Sequence, residues 1–233
     1  MAIKVRDFEV RLTRNKEERK QVRQLRYQVF CLEEGASATE EQRALGEEYD
    51  AYDRFAEYMA VFHQGRVVGT YRIIDRNAAE KMGGFYTETE YNLSKIKKYS
   101  GNIAEMSRAC VDPAYRENAL VMRLLWAGLG EMIVRRKIGI VFGVASFVGT
   151  KPARSAQAIS YLYRRCMRGG TTLDESRSLG KPEKAVWSLG CVSQKNCLNE
   201  VKTLGSASTE PVVFCCGKTA AAARYRVAAA FLL

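Results

Sequence analysis

The apolar run Ile138–Phe147 constrains the fold more than any other part of the chain, because such a run suits a central strand covered on both faces. It follows an amphipathic stretch from about Asn118 to Arg135, whose Leu120, Val121, Leu124, Leu125, Leu129 and Ile133 recur at helical spacing. Before that stretch lies a strand, Ile103–Val111, closed by the break Val111-Asp112-Pro113. Upstream, Ile3–Leu12 alternates as a first strand, and Asn15–Phe30 places Val22, Leu25, Val29 and Phe30 along one helical face. Tyr58–Phe62 and Val67–Ile74 are β-branched and aromatic runs joined at His63-Gln64-Gly65, which reads as a hairpin. A short helix carrying Leu93 and Ile96 is expected within Glu88–Tyr99, and a further helix over Ala153–Cys166. This succession is that of an α/β protein with a mixed central sheet flanked by helices.

Two regions interrupt the pattern. Glu33–Asp53 is acidic and poor in large aliphatics, and is expected to be a long, irregular, functional loop. Beyond about Arg168 both periodicities weaken, and five of the seven cysteines (Cys166, Cys191, Cys197, Cys215 and Cys216) crowd into the last third. The expected organisation is one domain over residues 1–167 and an atypical, poorly ordered tail over 168–233, within which the Ala-rich Thr219–Leu233 could be helical.

The 233 residues carry 37 Lys and Arg against 26 Asp and Glu. Residues 1–60 hold 11 basic and 13 acidic side chains, so residues 61–233 hold 26 against 13, a net of +13. Such a balance suits a polyanionic partner: an acidic carrier protein, an anionic membrane surface or nucleic acid. Nucleic acid is not expected, since no RNP, zinc-finger or clear helix-turn-helix pattern is present. One histidine and no paired Cys-x-x-Cys argue against zinc or any other metal, and for reduced thiols. No apolar run reaches the ~20 residues of a membrane span. The charged start Met1–Asp7 is unlike a secretory signal. The expected location is therefore the cytoplasm, and charge alone does not choose between a carrier protein and peripheral association at a membrane.

The strand Ile103–Val111 carries Glu105, Arg108 and Cys110 where a plain core would carry aliphatics. Alternation places residues three or five apart on opposite faces, so Glu105 should diverge from both Arg108 and Cys110. The thiol of Cys110 invites a covalent role. With no nearby histidine it reads instead as packing, and His63 as a turn residue.

A strand with Val111-Asp112-Pro113-Ala114-Tyr115-Arg116, leading into an amphipathic helix and then an apolar strand, resembles the GCN5-related N-acetyltransferase (GNAT) superfamily, the acyl-CoA N-acyltransferase fold. Family members carry a glycine-rich turn there, whose backbone N–H groups hold a pyrophosphate. This chain reads Arg116-Glu117-Asn118-Ala119-Leu120-Val121, without glycine. The departure weakens coenzyme A as donor and fits branches that use acyl carrier protein. Arg26-x-x-x-Phe30, Asp50-x-x-Asp53, Gly69-x-x-Arg72, Phe85 and Glu105-x-x-Arg108 are loosely similar to acyl-homoserine-lactone synthases, although a tryptophan usual after the Phe is missing. Ornithine-lipid N-acyltransferases, also called hemolysin-like acyltransferases, are matched more fully. The matching blocks are 25–30, 50–53, 68–72, 83–86, 105–116, 124–126, 142–150 and 160–163, spanning roughly residues 8–163. The tail departs. Gly205–Glu210 stands where that family has Ala-Leu-Pro-Pro-Leu, and the reading adopted is a frame-shifted or degraded C-terminal third.

The resemblance implies transfer of a (3-hydroxy)fatty acyl group from acyl carrier protein thioester to the α-amine of ornithine, giving lyso-ornithine lipid with no permanently bound cofactor. It implies Glu105 as general base and Arg108 as anchor for the acceptor, with Arg72, Asp50, Asp53, Arg26 and Phe30 forming the acceptor site. A backbone N–H near Cys110–Asp112 would meet the oxyanion, and Tyr161 or Tyr163 could protonate the leaving thiolate. Trp126, Phe142, Val144 and Phe147 would line the acyl chain, and Arg116 would meet the donor. Arg123, Arg135, Arg136 and Lys137 could join it on the carrier or on lipid headgroups, or form an ordinary solvated face. An acyl-homoserine-lactone-type synthase, another amino-acid N-acyltransferase, and an inactive carrier- or membrane-binding remnant are the alternatives.

Overall fold

The computed structural model describes residues 2–117, 119–148, 213–218 and 224–232. They fall into two compact units, one of residues 1–83 and 106–136, the other of 84–105 and 137–233.

In the first unit the chain opens with a tight hairpin, β1 (Ile3–Val5) and β2 (Phe8–Leu12), rather than the single strand expected over Ile3–Leu12. Arg6, with φ of 52°, turns the chain between them. Asn15 caps α1 (Lys16–Arg26) by accepting from the Glu18 N–H. The helix then widens into a π-helical segment, Tyr27–Glu33. The hairpin expected around His63-Gln64-Gly65 forms between β3 (Glu57–His63) and β4 (Arg66–Asp75). Gln64 and Gly65 both take positive φ, as a two-residue connection matching strand twist requires. Glu33–Asp53 is less irregular than expected. Within it a Thr39–Gln42 capping box starts α2 (Glu40–Leu45), Gly46 ends it in the left-handed region, and a 3-10 turn follows at Ala51–Arg54.

The strand order in this unit is β1-β2-β3-β4, with all three neighbouring pairs antiparallel, followed by the later part of β5 (Asn102–Val111). After β4 comes α3 (Arg76–Met82), unexpected from periodicity but capped by the Asp75 carboxylate. The long helix α5 (Leu120–Arg136) buries Val121, Leu124, Leu125, Leu129 and Met132. Its approach to the strands is close. A Cβ on Gly69 of β4 would lie 2.6 Å from Val121, and one on Gly128 would lie 2.8 Å from Met59 and Val10. The core against α1 is Val22, Leu25, Val29, Tyr58, Ala60, Phe62, Val67 and Cys110.

In the second unit a 3-10 turn at Tyr86–Thr89 and the short α4 (Ser94–Lys97) precede the first part of β5. There β5 pairs in parallel with β6 (Ile138–Val148), the apolar strand expected from sequence. β6 pairs antiparallel with β8 (Arg224–Leu232), which pairs antiparallel with β7 (Val213–Lys218), completing an order β5-β6-β8-β7. Parallel and antiparallel neighbours together make the mixed sheet expected. Within the Ala-rich terminus the described residues, Arg224–Leu232, are strand rather than helix. Tyr225, Val227 and Phe231 suit a pleated ribbon, and the edge of β6 supplies the N–H and C=O groups that an added strand pairs with. The expected helix over Ala153–Cys166, Tyr161, Tyr163 and the Gly205–Glu210 segment lie outside the described residues.

Candidate functional site

Local backbone geometry in β5 decides which side chains it presents. Ile103, Ala104, Glu105 and Ser107 are buried, and after them Cys110 and Val111, while Ala109 is exposed. Between the two groups stands Arg108, whose φ of 52° is left-handed. That conformation is costly for a residue with a side chain and typical of a local irregularity in a strand. Glu105 is buried in the second unit and Cys110 in the first.

In the second unit Glu105 is fully buried. Thr87 holds it, its hydroxyl donating to Oε1 at 3.1 Å and its N–H to Oε2 at 3.4 Å. Burying a carboxylate is expensive unless such donors face it. Sequence reasoning singled out Glu105 but missed Thr87, which lies 18 residues earlier with no shared motif.

In the first unit three guanidiniums and three carboxylates interlock. Arg26, fully buried, donates from Nη1 and Nη2 to the two oxygens of Asp53 at 2.8 and 2.9 Å, and from Nε to Glu48 at 2.5 Å. Arg72, equally buried, donates to Asp50 at 2.6 Å, to Asp53 at 3.2 Å and to the Ser107 hydroxyl at 3.0 Å. Arg108 donates to Asp50 at 3.1 Å and lies 3.3 Å from Glu48. Asp50 and Asp53 also cap one another's turn, the Asp50 N–H donating to Asp53 at 2.8 Å. Burial would raise the Asp53 pKa, but the Arg26 hydrogen bonds and the charges of Arg26 and Arg72 outweigh it and hold this carboxyl well below the usual range. Four of the five residues expected at the acceptor site, together with Arg108, thus share one network. Glu48 and Ser107 belong to it and were not foreseen. The signal for Glu48 was the acidic loop itself, which reads as charge without saying which carboxylate turns inward. Ser107 lies on β5 between Glu105 and Arg108 and carried no signal of its own. Phe30, the fifth, packs half-buried against the core beneath α1. Side-chain exposure is 25% at both Arg108 and Asp50, which form the solvent-facing edge of the network.

Cys110 is buried, and that burial pushes its thiol up to about 12. It stays protonated at neutral pH, which matches the packing reading. The expected oxyanion donor cannot be Asp112, whose N–H donates to the Val68 carbonyl at 2.9 Å. Arg116 donates from Nε to the Val111 carbonyl at 3.1 Å and forks onto Glu33 through both terminal nitrogens. Arg135 pairs with Glu131, and Arg136 forks onto Glu57. Among the residues expected along the acyl chain, Trp126 sits on α5, 52% exposed, with its ring 6.1 Å from that of Tyr71. Phe142, in the second unit, is buried edge-on to Phe85 at 4.9 Å, and Val144 is half-buried. The Phe147 side chain lies outside the described residues. His63 is no idle turn residue, since its Nδ1 lies 2.8 Å from the Tyr115 hydroxyl and its ring stacks on Phe8.

Residues 25–127 match the Acetyltransferase (GNAT) domain model. The chain is 33% identical over 173 residues to an L-ornithine N(alpha)-acyltransferase of Brucella abortus, covering 70% of this chain and 61% of that protein. It is 34% identical over 170 residues to the protein of that name from Rhodobacter capsulatus, covering 70% and 65%. It thus spans rather less than two thirds of the length of these relatives. Among solved structures, an N-acyl amino acid synthase from uncultured soil microbes superposes with a TM-score of 0.54 at 13% identity, over 97% of this chain and 90% of that one. That likeness is one of fold. The chain therefore has the GNAT acyltransferase fold, and its sequence resembles the L-ornithine N(alpha)-acyltransferases of that superfamily.

Proposed function

We propose that the chain is an N-acyltransferase that moves a (3-hydroxy)fatty acyl group from an acyl carrier protein thioester to the α-amine of ornithine, giving lyso-ornithine lipid. The buried carboxylate of Glu105, held by Thr87 on the strand common to this fold, is the observation that carries the reading. The similarity to proteins named for ornithine acylation supports the acceptor. An ammonium must lose a proton before its nitrogen can attack, and Glu105 accepts that proton, directly or through one water. The amine nitrogen then bonds to the thioester carbonyl carbon, and the C–S bond breaks to release the carrier thiolate. Transfer is direct, because the Cys110 thiol is buried and protonated.

In the acceptor site, Arg108 at the open edge of the network takes the ornithine carboxylate, while Asp50 beside it faces an ammonium. Arg26, Arg72 and Asp53 behind them hold these two groups in place. The carrier and an anionic membrane surface are the partners, in keeping with the net positive charge of residues 61–233. Among the described residues no helix is long and apolar enough to cross a membrane.

The test is incubation of the purified chain with acyl carrier protein thioester and a panel of amino acids, with products read by mass spectrometry. Acylated ornithine supports the reading, a different acylated amine replaces the acceptor, and folded protein without product rejects the activity. Glu105→Gln should lower turnover by about 10²-fold or more while donor binding persists. Near-normal turnover would remove the base assignment. Cys110→Ala should retain turnover, and its loss in a folded variant would restore a covalent route.

A further inference from the structure

The turn leaving β5 lacks the glycines that would let its backbone adapt to a donor, and side chains brace it instead. On its near side the Asp112 N–H donates to the Val68 carbonyl, its Oδ1 accepts from the Ala114 N–H at 2.9 Å, and its Oδ2 lies 3.3 Å from Arg66. On its far side Tyr115 closes a 3-10 turn, Pro113–Tyr115, and its hydroxyl meets His63 Nδ1 at 2.8 Å. Val68, Arg66 and His63 all belong to the β3–β4 hairpin. Both ends of the turn are therefore fastened to one rigid support.

The far fastening is a built cluster. Phe8 of β2 stacks on His63 with centroids 4.3 Å apart and planes at 18°. Tyr115 meets Phe8 edge-on at 6.2 Å and His63 at 5.5 Å and 70°. Phenylalanine at 63 would keep three rings but could not hydrogen-bond the Tyr115 hydroxyl. Among the described contacts of residue 63, the hydrogen bond to Tyr115 is the one that calls for a histidine. One residue beyond Tyr115 stands Arg116, so the orientation of Tyr115 fixes where that guanidinium starts.

We propose that His63 and Tyr115 are a positioning pair which holds the turn Asp112–Arg116 in the geometry that receives the acyl-thioester donor. The inference rests on the N-acyltransferase reading and adds a donor-side role that touches neither the acceptor network nor Glu105. Its test exploits the single histidine of the chain, since one imidazole gives one assignable set of ring nitrogen signals. In the unaltered protein, acyl carrier protein thioester should shift those signals and ornithine should not. Tyr115→Phe and His63→Phe, which keep the rings, should each raise the donor KM about three- to tenfold, the effect of losing one hydrogen bond. The ornithine KM and kcat should stay unchanged, and the double variant should be no worse than either single one.

Donor and acceptor KM rising together would mark the pair as merely structural and overturn the inference. So would an active wild-type chain whose histidine signals ignore the donor. A wild-type chain that turns over no thioester with any amine would remove the acyltransferase reading itself, and this inference with it.

Discussion

The buried charge network around Arg26 and Arg72 and the turn after β5 are both rich in arginine, yet they are built on opposite principles. Around Arg26 and Arg72 water is excluded, every guanidinium faces a carboxylate, and three positive charges meet three negative ones. Around Arg116 the guanidinium and its partner Glu33 are both about 40% exposed, and the rigidity comes from backbone bonds and stacked rings. Buried charge is unforgiving: removing one partner strands the other without solvent. An exposed ion pair, screened by water and salt, contributes little to stability. The two regions should therefore respond very differently to the loss of one carboxylate.

Asp53→Ala is expected to have the largest effect, because it deprives two fully buried arginines of a partner at once. Breaking a buried pair typically costs about 3–5 kcal/mol, to be read as a lower midpoint in chemical denaturation. A shift well below that would mean water enters the network.

Acid should expose the same contrast. The folded-state pKa of Asp53 lies below its unfolded value, so its stabilisation is present above the ordinary carboxylate range. It is lost as pH falls through the depressed folded value. Stability should therefore decline as pH drops below about 4, the usual aspartate value, and Asp53→Asn should flatten that decline. An unchanged profile would place the acid sensitivity elsewhere.

At the small end, Glu33→Gln should leave thermal stability unaltered within error at physiological salt. A clear drop in melting temperature would show that the fork to Arg116 is structural after all.

Legibility in the sequence followed the range of the interactions. The hairpin turned at Gln64-Gly65, the helix capped by Asn15, α5 and the apolar β6 all depend on neighbours a few residues apart, and each was readable. The residues of the buried charge network could be nominated only through a family likeness, because Arg26 and Asp53 are 27 positions apart, and Arg108 and Asp50 are 58 apart. Glu48 stayed hidden among the acids of the same loop. Thr87 offered no pattern at all. His63 was misread because a lone histidine at a hairpin is locally unremarkable, and its partner lies 52 residues away. The left-handed backbone at Arg108 interrupts β5 locally, and no sequence pattern announces it.

That backbone has a consequence for how position 108 tolerates change. A side-chain-bearing residue in this region carries roughly 1–3 kcal/mol of strain, which glycine would relieve while surrendering the contacts to Asp50 and Glu48. Relief of strain and the proposed acceptor role thus make opposite demands on position 108. A library selected for heat resistance alone should drift there toward glycine or asparagine, and one selected for product should return to arginine.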